Sequence, residues 1–368
     1  MASKVYFLII AVLLVGCKKE TDPIKLALQS SKPEIKRVVD SLDKYEVQIL
    51  FTEVHRDANH KVTFTDYRFG VEDSTYFYPA STVKFPIAIL ALEKLAEEKR
   101  FNRNSKFFIE GDSVTTTFSN EIEKIFTVSD NVAYNRLFEY LGQDGINSKL
   151  ASKGVNARIS HRLSVDDSEN ITTKPLVVFI NDSTTITTEE IINQPIKKLQ
   201  LEELLKGKGY VEDDSLILKQ KDFSTRNYLP LNSLHSIMKQ FIFPELYPKE
   251  QQFHLSEGDR KFLLETMKIG PGRQGYPLET PEGSNKLLVF GDSNKPMPSH
   301  IDIYNKTGGA YGYLTDCAYI VDNKKNKEWI ITVAIYVNDN QVFNDDIYEY
   351  DNVGVPFLAE LGRQLIKF

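Results

Sequence analysis

The strand-like segments of this sequence lie at its two ends, and helical signals fill the middle. Two such segments lie near the N-terminus and three near the C-terminus, at residues 47–54, 61–69, 301–305, 316–321 and 329–337. They are rich in β-branched and aromatic residues, which favour strands. Because the strands of a sheet must lie side by side, we predict one antiparallel sheet assembled from both ends of the chain. The predicted class is α/β (α+β), with helices flanking the sheet and a mostly helical subdomain inserted.

The N-terminal segment has the character of a signal peptide. Lys4 supplies a positive charge, and the apolar run 5–15 is too short to span a bilayer as a helix. The run ends in Leu14-Val15-Gly16-Cys17, which is typical of a bacterial lipoprotein signal cleaved before the cysteine. An ordinary secretory signal with a chance cysteine is the alternative.

These features predict the organisation of the chain. We expect residues 1–16 to be removed, residues 17–32 to form a lipidated, polar tether, and residues 33–368 to form the folded domain. Within that domain, residues from about 170 to 224 are polar and read as an insertion with a small element of its own. The expected location is the cell envelope, with the protein lipid-anchored at Cys17 to a membrane and facing the periplasm or the exterior.

Composition and charge exclude several classes of protein. The net charge of −6 gives no general attraction to nucleic acid. If Cys17 is acylated, Cys317 has no intramolecular partner, so no disulfide is expected. The six histidines form no His-x-x-x-His pair and the cysteines no Cys-x-x-Cys pair, so we expect no metal site and no cofactor.

The pair Ser81 and Lys84 has the residue types of nucleophilic catalysis. The two are three residues apart at the start of an apolar helical run, which would place both side chains on one face. A serine needs a base to become a nucleophile, and lysine acts as one only when burial or a nearby ammonium lowers its pKa. Lys306 is a candidate for that ammonium. Ser-x-x-Lys alone is also typical of a capping serine beside a solvated lysine, and it recurs at 41–44 and 236–239.

Ser129-Asp130-Asn131 adds groups suited to amide chemistry. Ser129 could pass a proton to a leaving nitrogen, and Asn131 could hold an amide carbonyl. The same tripeptide is also a good start for a helix.

Lys306-Thr307-Gly308, predicted at a strand edge, offers a cation and a hydroxyl to a substrate carboxylate. Glycine in a strand lets a ligand approach the backbone closely. The backbone N–H groups of Ser81 and Gly309 could form an oxyanion hole, for which two donors are the usual set.

In this order the three motifs resemble those of class A β-lactamases and, more broadly, of penicillin-binding serine hydrolases such as the DD-peptidases. The similarity extends to the segments 79–86, 129–137 and 306–316. It covers roughly residues 33–368 and is interrupted by the polar insertion. The resemblance implies that Ser81 is the nucleophile, Lys84 its base and Ser129 a proton relay. It further implies that Asn131 orients the substrate amide and that Lys306 and Thr307 bind its carboxylate.

The sequence departs from the class A pattern in the loop that carries the deacylating glutamate. The resemblance implies that Asn135 steadies this loop, but Leu163 falls where the glutamate would stand. The acidic residues Asp166, Asp167 and Glu169 follow shortly after. They either substitute for that base or are simply solvated.

Three hypotheses for the function follow from the resemblance. The first is a β-lactamase that is acylated at Ser81 and hydrolyses the β-lactam amide. The second is a peptidoglycan DD-peptidase or esterase-like relative that β-lactams inhibit. The third is a sensor of β-lactams or cell-wall fragments without turnover. In each case the partner is a small β-lactam or a peptidoglycan-derived substrate.

Overall fold

The computed structural model of the protein describes residues 22–271 and 280–368. The strands, in chain order, are β1 (Gln48–Arg56), β2 (Val62–Phe69), β3 (Lys106–Ile109), β4 (Thr116–Thr117), β5 (Leu176–Asn181), β6 (Thr184–Thr187), β7 (Leu205–Lys206), β8 (Gly209–Glu212), β9 (Ser215–Ile217), β10 (Lys221–Asp222), β11 (Ile301–Ala310), β12 (Tyr313–Asp322), β13 (Lys327–Tyr336) and β14 (Val342–Phe343). The helices, in chain order, are α1 (Pro23–Leu28), α2 (Pro33–Val39), α3 (Leu42–Tyr45), α4 (Lys84–Glu98), α5 (Phe118–Thr127), α6 (Asn131–Leu141), α7 (Gln143–Ser152), α8 (Leu231–Ile242), α9 (Glu257–Lys268), α10 (Leu287–Phe290) and α11 (Val355–Leu365).

A five-stranded sheet takes its strands from both ends of the chain. Its order is β11-β12-β13-β1-β2, and each neighbouring pair is antiparallel. The junction between the two ends is the β1–β13 pair, in which Gln48 lies opposite Ala334. The predicted fold, an antiparallel sheet built from the N- and C-terminal strands, is therefore confirmed.

Both faces of this sheet are covered, because alternate side chains of a strand point to opposite faces. In β13, Ile331 and Val333 pack into a core with Ile24 of α1 and Phe357 of α11. Their neighbour Ile330 packs into the core on the opposite face, which the helical subdomain from α4 to α9 supplies. Continuous burial of β13 from Trp329 to Tyr336 explains why this part of its sequence is mostly apolar rather than alternating.

The start of the folded domain differs from the expectation of a tether over residues 17–32. Residues 23–28 form α1, with Asp22 Oδ1 accepting a hydrogen bond from the N–H of Ile24 at 2.9 Å. Ile24 is fully buried and Ala27 nearly so, against the sheet and α11. The domain thus begins at about residue 23 rather than 33, because this short segment has an apolar face that the core accepts. The expected signal peptide and the lipidation at Cys17 lie outside the described residues. Within the described part of the chain, no helix is long and apolar enough to cross a membrane.

The polar insertion contributes to two places. Its first part pairs as the β5–β6 hairpin with β3 and β4 in a four-stranded sheet, which the sequence did not predict inside the helical subdomain. Its second part, from β7 to β10, carries the buried aromatic residues Tyr210 and Phe223. These pack with Tyr78 and Phe343 in a third core. The insertion therefore supports the chain immediately before Ser81.

Candidate active site

Ser81 and Lys84 lie one helical turn apart, as their spacing predicts. A 3₁₀ helix, Ala80–Val83, leads directly into α4. Ala80 has φ 47°, a left-handed conformation that is unusual for a residue with a side chain and is typical of strained functional turns. Lys84 Nζ lies 3.0 Å from Ser81 Oγ, within hydrogen-bonding distance. The turn thus aims the serine hydroxyl at the amine.

The amine of Lys84 is held inside the protein by the Ser-Asp-Asn motif. Lys84 is fully buried, and its Nζ donates to Asn131 Oδ1 at 2.6 Å and to the backbone carbonyl of Ser129. Burial lowers the pKa of Lys84 to about 7, although the negative charge of Asp130 opposes the shift. A substantial fraction of Lys84 is therefore neutral near pH 7, and its lone pair is then free to accept the proton of Ser81.

Ser129 connects the two lysines of the site. Its hydroxyl accepts a hydrogen bond from Lys306 Nζ at 2.9 Å and lies 3.3 Å from Lys84 Nζ. Ser129 has φ 57°, and the adjacent Asp130 caps α6 by accepting from the N–H of Ala133 at 2.7 Å. Burial, together with the positive charge of Lys84, holds the pKa of Lys306 well below its usual value. The motif therefore begins α6 through Asp130, and its Ser129 and Asn131 also contact the buried amine of Lys84.

Gly308 lets strand β11 lie against the backbone of the nucleophile. A Cβ at this position would lie 2.9 Å from the backbone nitrogens of both Ser81 and Thr82, closer than side chains are found. Only glycine fits this contact without displacing the strand or the turn. The next residue, Gly309, lines the same cavity as Ser81. This arrangement is compatible with the predicted oxyanion hole of their two N–H groups.

Ser81 opens into a cavity of about 510 Å³ between the helical subdomain and the edge of the sheet. Asn131, Leu163 and Ser164 line one side. The other side and the rim are lined by Tyr78, Ala80, Gly309, Ala310, Tyr311, Asn344, Asp346, Tyr348 and Tyr350. The predicted site residues Ser81, Asn131 and Gly309 thus share one cavity, and Lys84, Ser129 and Lys306 form the hydrogen-bonded layer beneath it.

The model of one protein family, described as the Beta-lactamase enzyme family, matches residues 30–226, more than half of the chain. The chain belongs to this β-lactamase family. No curated protein matches it.

Two solved β-lactamases are similar to the chain in fold. One from Burkholderia ambifaria is 12% identical with a TM-score of 0.52, and the alignment covers 89% of this chain and 96% of the other. One from Sphaerobacter thermophilus is 12% identical with a TM-score of 0.50, and the alignment covers 94% of this chain and 95% of the other. At this identity the likeness shows the fold alone.

Asn135 holds the loop at Leu163, the position where the resemblance to class A β-lactamases places the deacylating glutamate. Its Nδ2 donates to the carbonyl of Leu163 at 3.0 Å, and its Oδ1 accepts from the N–H of Leu163 at 2.8 Å. Leu163 is buried and lines the cavity, so an apolar side chain occupies this part of the site. Beside it, Ser164 Oγ accepts from Asn131 Nδ2 at 2.8 Å.

The acidic residues that follow this loop lie elsewhere. Asp166, Asp167 and Glu169 are exposed, and none of them lines the cavity. Glu169 Oε1 lies 3.2 Å from His161 Nε2 and 3.6 Å from the guanidinium of Arg226. Their arrangement favours the solvated interpretation over that of a water-activating base.

A buried polar network behind β11 was not found by sequence reasoning. Lys286 Nζ donates to Asn305 Oδ1 at 2.7 Å, and Asn305 Nδ2 donates to Asp316 Oδ1 at 2.8 Å. Burial raises the pKa of Asp316 to about 6 and lowers that of Lys286 to about 7. Since Asn305 precedes Lys306 in the strand, this network fixes the strand that presents Lys306. The acid Asp316 in a strand buried along most of its length was the one available signal.

One group of possible metal ligands occurs among the described residues, away from this cavity. Ligand atoms of Glu93, Glu97 and His254 lie within 4.8 Å of one another. Glu93 Oε1 also accepts from the buried Lys153 Nζ at 2.8 Å, and Glu97 pairs with Lys149. The two lysines already balance the two carboxylates, so the group is a network of ion pairs.

Proposed function

We propose that this protein is a serine hydrolase that is acylated at Ser81 by the amide of a β-lactam and that hydrolyses the resulting ester slowly. The observation that carries the proposal is the connected set Ser81, Lys84, Ser129 and Lys306 beneath one cavity. Membership in the β-lactamase family supports the same chemistry.

The acylation step follows from the distances. Neutral Lys84 takes the proton of Ser81 as Oγ bonds to the amide carbon, and the oxyanion is stabilised by backbone N–H groups. When the C–N bond breaks, the proton on Lys84 passes through the hydroxyl of Ser129 to the leaving nitrogen, over the 3.3 Å that separate Nζ and Oγ. The proton that leaves Ser81 thus ends on the nitrogen. Lys306 and Thr307 bind the substrate carboxylate in this scheme.

Deacylation has weaker support in the structure. A water that attacks the ester needs a base, and general-base catalysis typically contributes about 10²–10⁴-fold in rate. Leu163 offers no such group, and Asp346 on the rim is the one acidic residue that lines the cavity within the described chain. We therefore infer that hydrolysis of the acyl-enzyme limits turnover.

A peptidoglycan DD-peptidase inhibited by β-lactams is the second candidate. The apolar Leu163 in place of a water-activating base favours this candidate as well. An enzyme whose acyl-enzyme with a β-lactam persists is inhibited by that β-lactam and does not destroy it efficiently. Both candidates form an acyl-enzyme at Ser81, and they differ in which acyl-enzyme is hydrolysed fast, that of a β-lactam or that of a peptidoglycan peptide.

Time-resolved intact mass of the purified domain with a penicillin tests the proposal. We expect a covalent adduct at Ser81 that persists over many turnover times of a fast β-lactamase, with slow release of the ring-opened product. Ser81→Ala should form no adduct, whereas the control Ser183→Ala, in the exposed β5–β6 turn, should react as the wild type does. An adduct of unchanged rate in Ser81→Ala would overturn the assignment. Rapid product release without an adduct would overturn slow deacylation.

A further inference from the structure

The rim of the cavity is built by the chain that follows the last strand of the main sheet. Strand β14 pairs in parallel with β8 of the insertion, and its Phe343 is fully buried with its ring centroid 5.3 Å from that of Phe223. After β14 the chain returns past the cavity as Asn344, Asp346, Tyr348 and Tyr350. The insertion and the rim therefore form one structural unit beside the nucleophile.

The aromatic rings of this rim are held in place through their hydroxyl groups. Tyr348 Oη accepts from the N–H of Asn344 at 2.8 Å, and Tyr350 Oη accepts from the N–H of Gly312 at 2.8 Å. The two rings lie 5.3 Å apart, and both are partly exposed. Each hydroxyl accepts one backbone hydrogen bond, which fixes the position of its ring at the edge of the cavity.

Asp346 gives this aromatic rim a negative charge. It is the only acidic or basic residue that lines the cavity within the described ranges, and it is exposed. Within the described residues, the carboxylate of Asp346 has no hydrogen bond and no ion pair. Its backbone has φ 58°, a conformation that the surrounding turn imposes. A carboxylate beside aromatic faces is the combination that attracts an organic cation.

The position of the rim along β11 tells which part of a substrate would reach it. Thr307, the proposed carboxylate binder, and Ala310, the last residue of β11, are three residues apart, which is roughly 10 Å along the strand, and Tyr311 follows in the turn. With the scissile carbonyl held between them at Ser81 and Gly309, the leaving-group side lies toward Thr307. The acyl side chain of the substrate then extends toward Tyr311 and the rim.

We propose that Asp346, with the rings of Tyr348 and Tyr350, forms a subsite for an ammonium group on the acyl side chain of the substrate. This deepens and rests on the proposed acylation at Ser81. It assigns the substrate class as acyl donors that carry a free amine, such as a β-lactam or a peptide with a terminal amino group on its side chain.

The test compares matched pairs of penicillins. Their side chains are 4-aminobutanoyl and butanoyl in one pair and 6-aminohexanoyl and hexanoyl in the other, with amines that remain protonated at pH 7. We expect the wild type to be acylated about three- to tenfold more efficiently by the amine of the better-fitting length. The preference should fall at about 1 M salt, where the Debye length is about 3 Å.

Two substitutions remove the charge and keep the backbone. Asp346→Asn and Asp346→Gly both tolerate a left-handed φ, so each should leave the rim intact. We expect either to reduce the preference within each pair to less than about twofold, with the rate for the neutral penicillin of the pair as the reference for each variant. Asp182→Asn, which removes an exposed acid from the β5–β6 turn, should keep the full preference.

The outcomes separate this inference from the proposed function. No preference in the wild type, or a preference that survives both Asp346 variants, would overturn the ammonium subsite. If the neutral penicillins form no adduct either, the proposed acylation fails. The same pairs are therefore also titrated into the Ser81→Ala protein by calorimetry, with and without Asp346→Asn. Tighter binding of the amine-bearing penicillin that is lost with Asp346→Asn supports the subsite. Equal binding of the two members of each pair refutes it.

Discussion

Lys306 donates a hydrogen bond from its ammonium to the hydroxyl of Ser129, across 2.9 Å. The two residues are 177 positions apart in the chain, and their contact joins the sheet to the helical subdomain. The second lysine, Lys84, lies 3.3 Å from the same hydroxyl. Ser129 thus lies between two buried amines, each of which has a lowered pKa because burial disfavours the charged form.

Acylation should depend on pH through Lys84. Since the pKa of this lysine is lowered to about 7, its basic form prevails above pH 7 and is lost below it. We expect the rate constant of acylation to be about a hundredfold lower at pH 5 than on the plateau above pH 8. Stopped-flow measurement with a chromogenic cephalosporin over this range checks the profile. A rate that is flat from pH 5 to 9, or that rises only near pH 10, would contradict the role of Lys84.

Introducing a carboxylate at Leu163 should accelerate deacylation. Leu163→Glu places an acid in the clamped loop at the edge of the cavity, where it can activate a water. We expect the acyl-enzyme to decay at least about tenfold faster, measured by loss of the adduct mass. Leu163→Gln has the same shape without the charge and should decay like the wild type. Equal decay of the two variants would show that the missing base is not what limits turnover.

Removing the side chain of Asn135 should loosen the loop. Asn135→Ala deletes two hydrogen bonds and leaves the N–H and C=O of Leu163 without these partners. We expect the free energy of unfolding in urea to fall by about 1–3 kcal/mol. Asn59→Ala, in the exposed turn between β1 and β2, is the comparison and should change it by less than about 0.5 kcal/mol. An Asn135→Ala protein as stable as wild type would show that the clamp is not needed to hold the loop.

Gly308→Ala should damage the site through the backbone. The added methyl group would lie 2.9 Å from two backbone nitrogens, which cannot move aside as a flexible side chain would. We expect a loss of about 1–3 kcal/mol in stability, typical of overpacking, together with slower acylation. At Gly309 a methyl group would meet only the end of Leu314 at 3.3 Å, so Gly309→Ala should destabilise the fold less. Thermal unfolding of the two variants decides the comparison.

Anchoring at Cys17 remains a proposal that the sequence supports. Since α1 begins at Pro23, only residues 18–22 would separate a lipidated Cys17 from the folded domain. That length reaches at most about 20 Å, so the domain would lie close to the membrane surface. We expect Cys17→Ser to release the protein into the soluble fraction of cells. Unchanged partition into the membrane fraction would exclude lipid attachment at this residue.

Much of the fold and part of the site follow from local sequence patterns. The strands at both ends are recognisable from their apolar, β-branched composition, and the Ser81–Lys84 pair from its helical spacing. The burial of α1 was missed because six residues with one apolar face resemble a linker when read alone. The buried lysine Lys286 has no local signal, since its partners Asn305 and Met267 are joined to it only by the folding of the sheet.

The rim shows the limit of such reading most clearly. Asp346 and Tyr350 lie in a polar, aromatic segment whose sequence indicates only a turn. No pattern in this segment predicts that it lies beside Ser81. Their place at the cavity depends on β14 pairing with β8, a contact between two short strands more than a hundred residues apart. A two-residue strand leaves too little pattern to detect.

Because β1 pairs with β13, the five-stranded sheet can be completed only after the C-terminal strands have been synthesised. As the ribosome or the secretion machinery delivers the chain from its N-terminus, β1 and β2 emerge early and form at most a lone hairpin, which is marginally stable in water. Lys306 and the glycines that face Ser81 arrive only with the last quarter of the polypeptide. A nascent or C-terminally truncated chain would therefore carry the serine without its activating surroundings, and reactivity would begin only when synthesis is nearly complete.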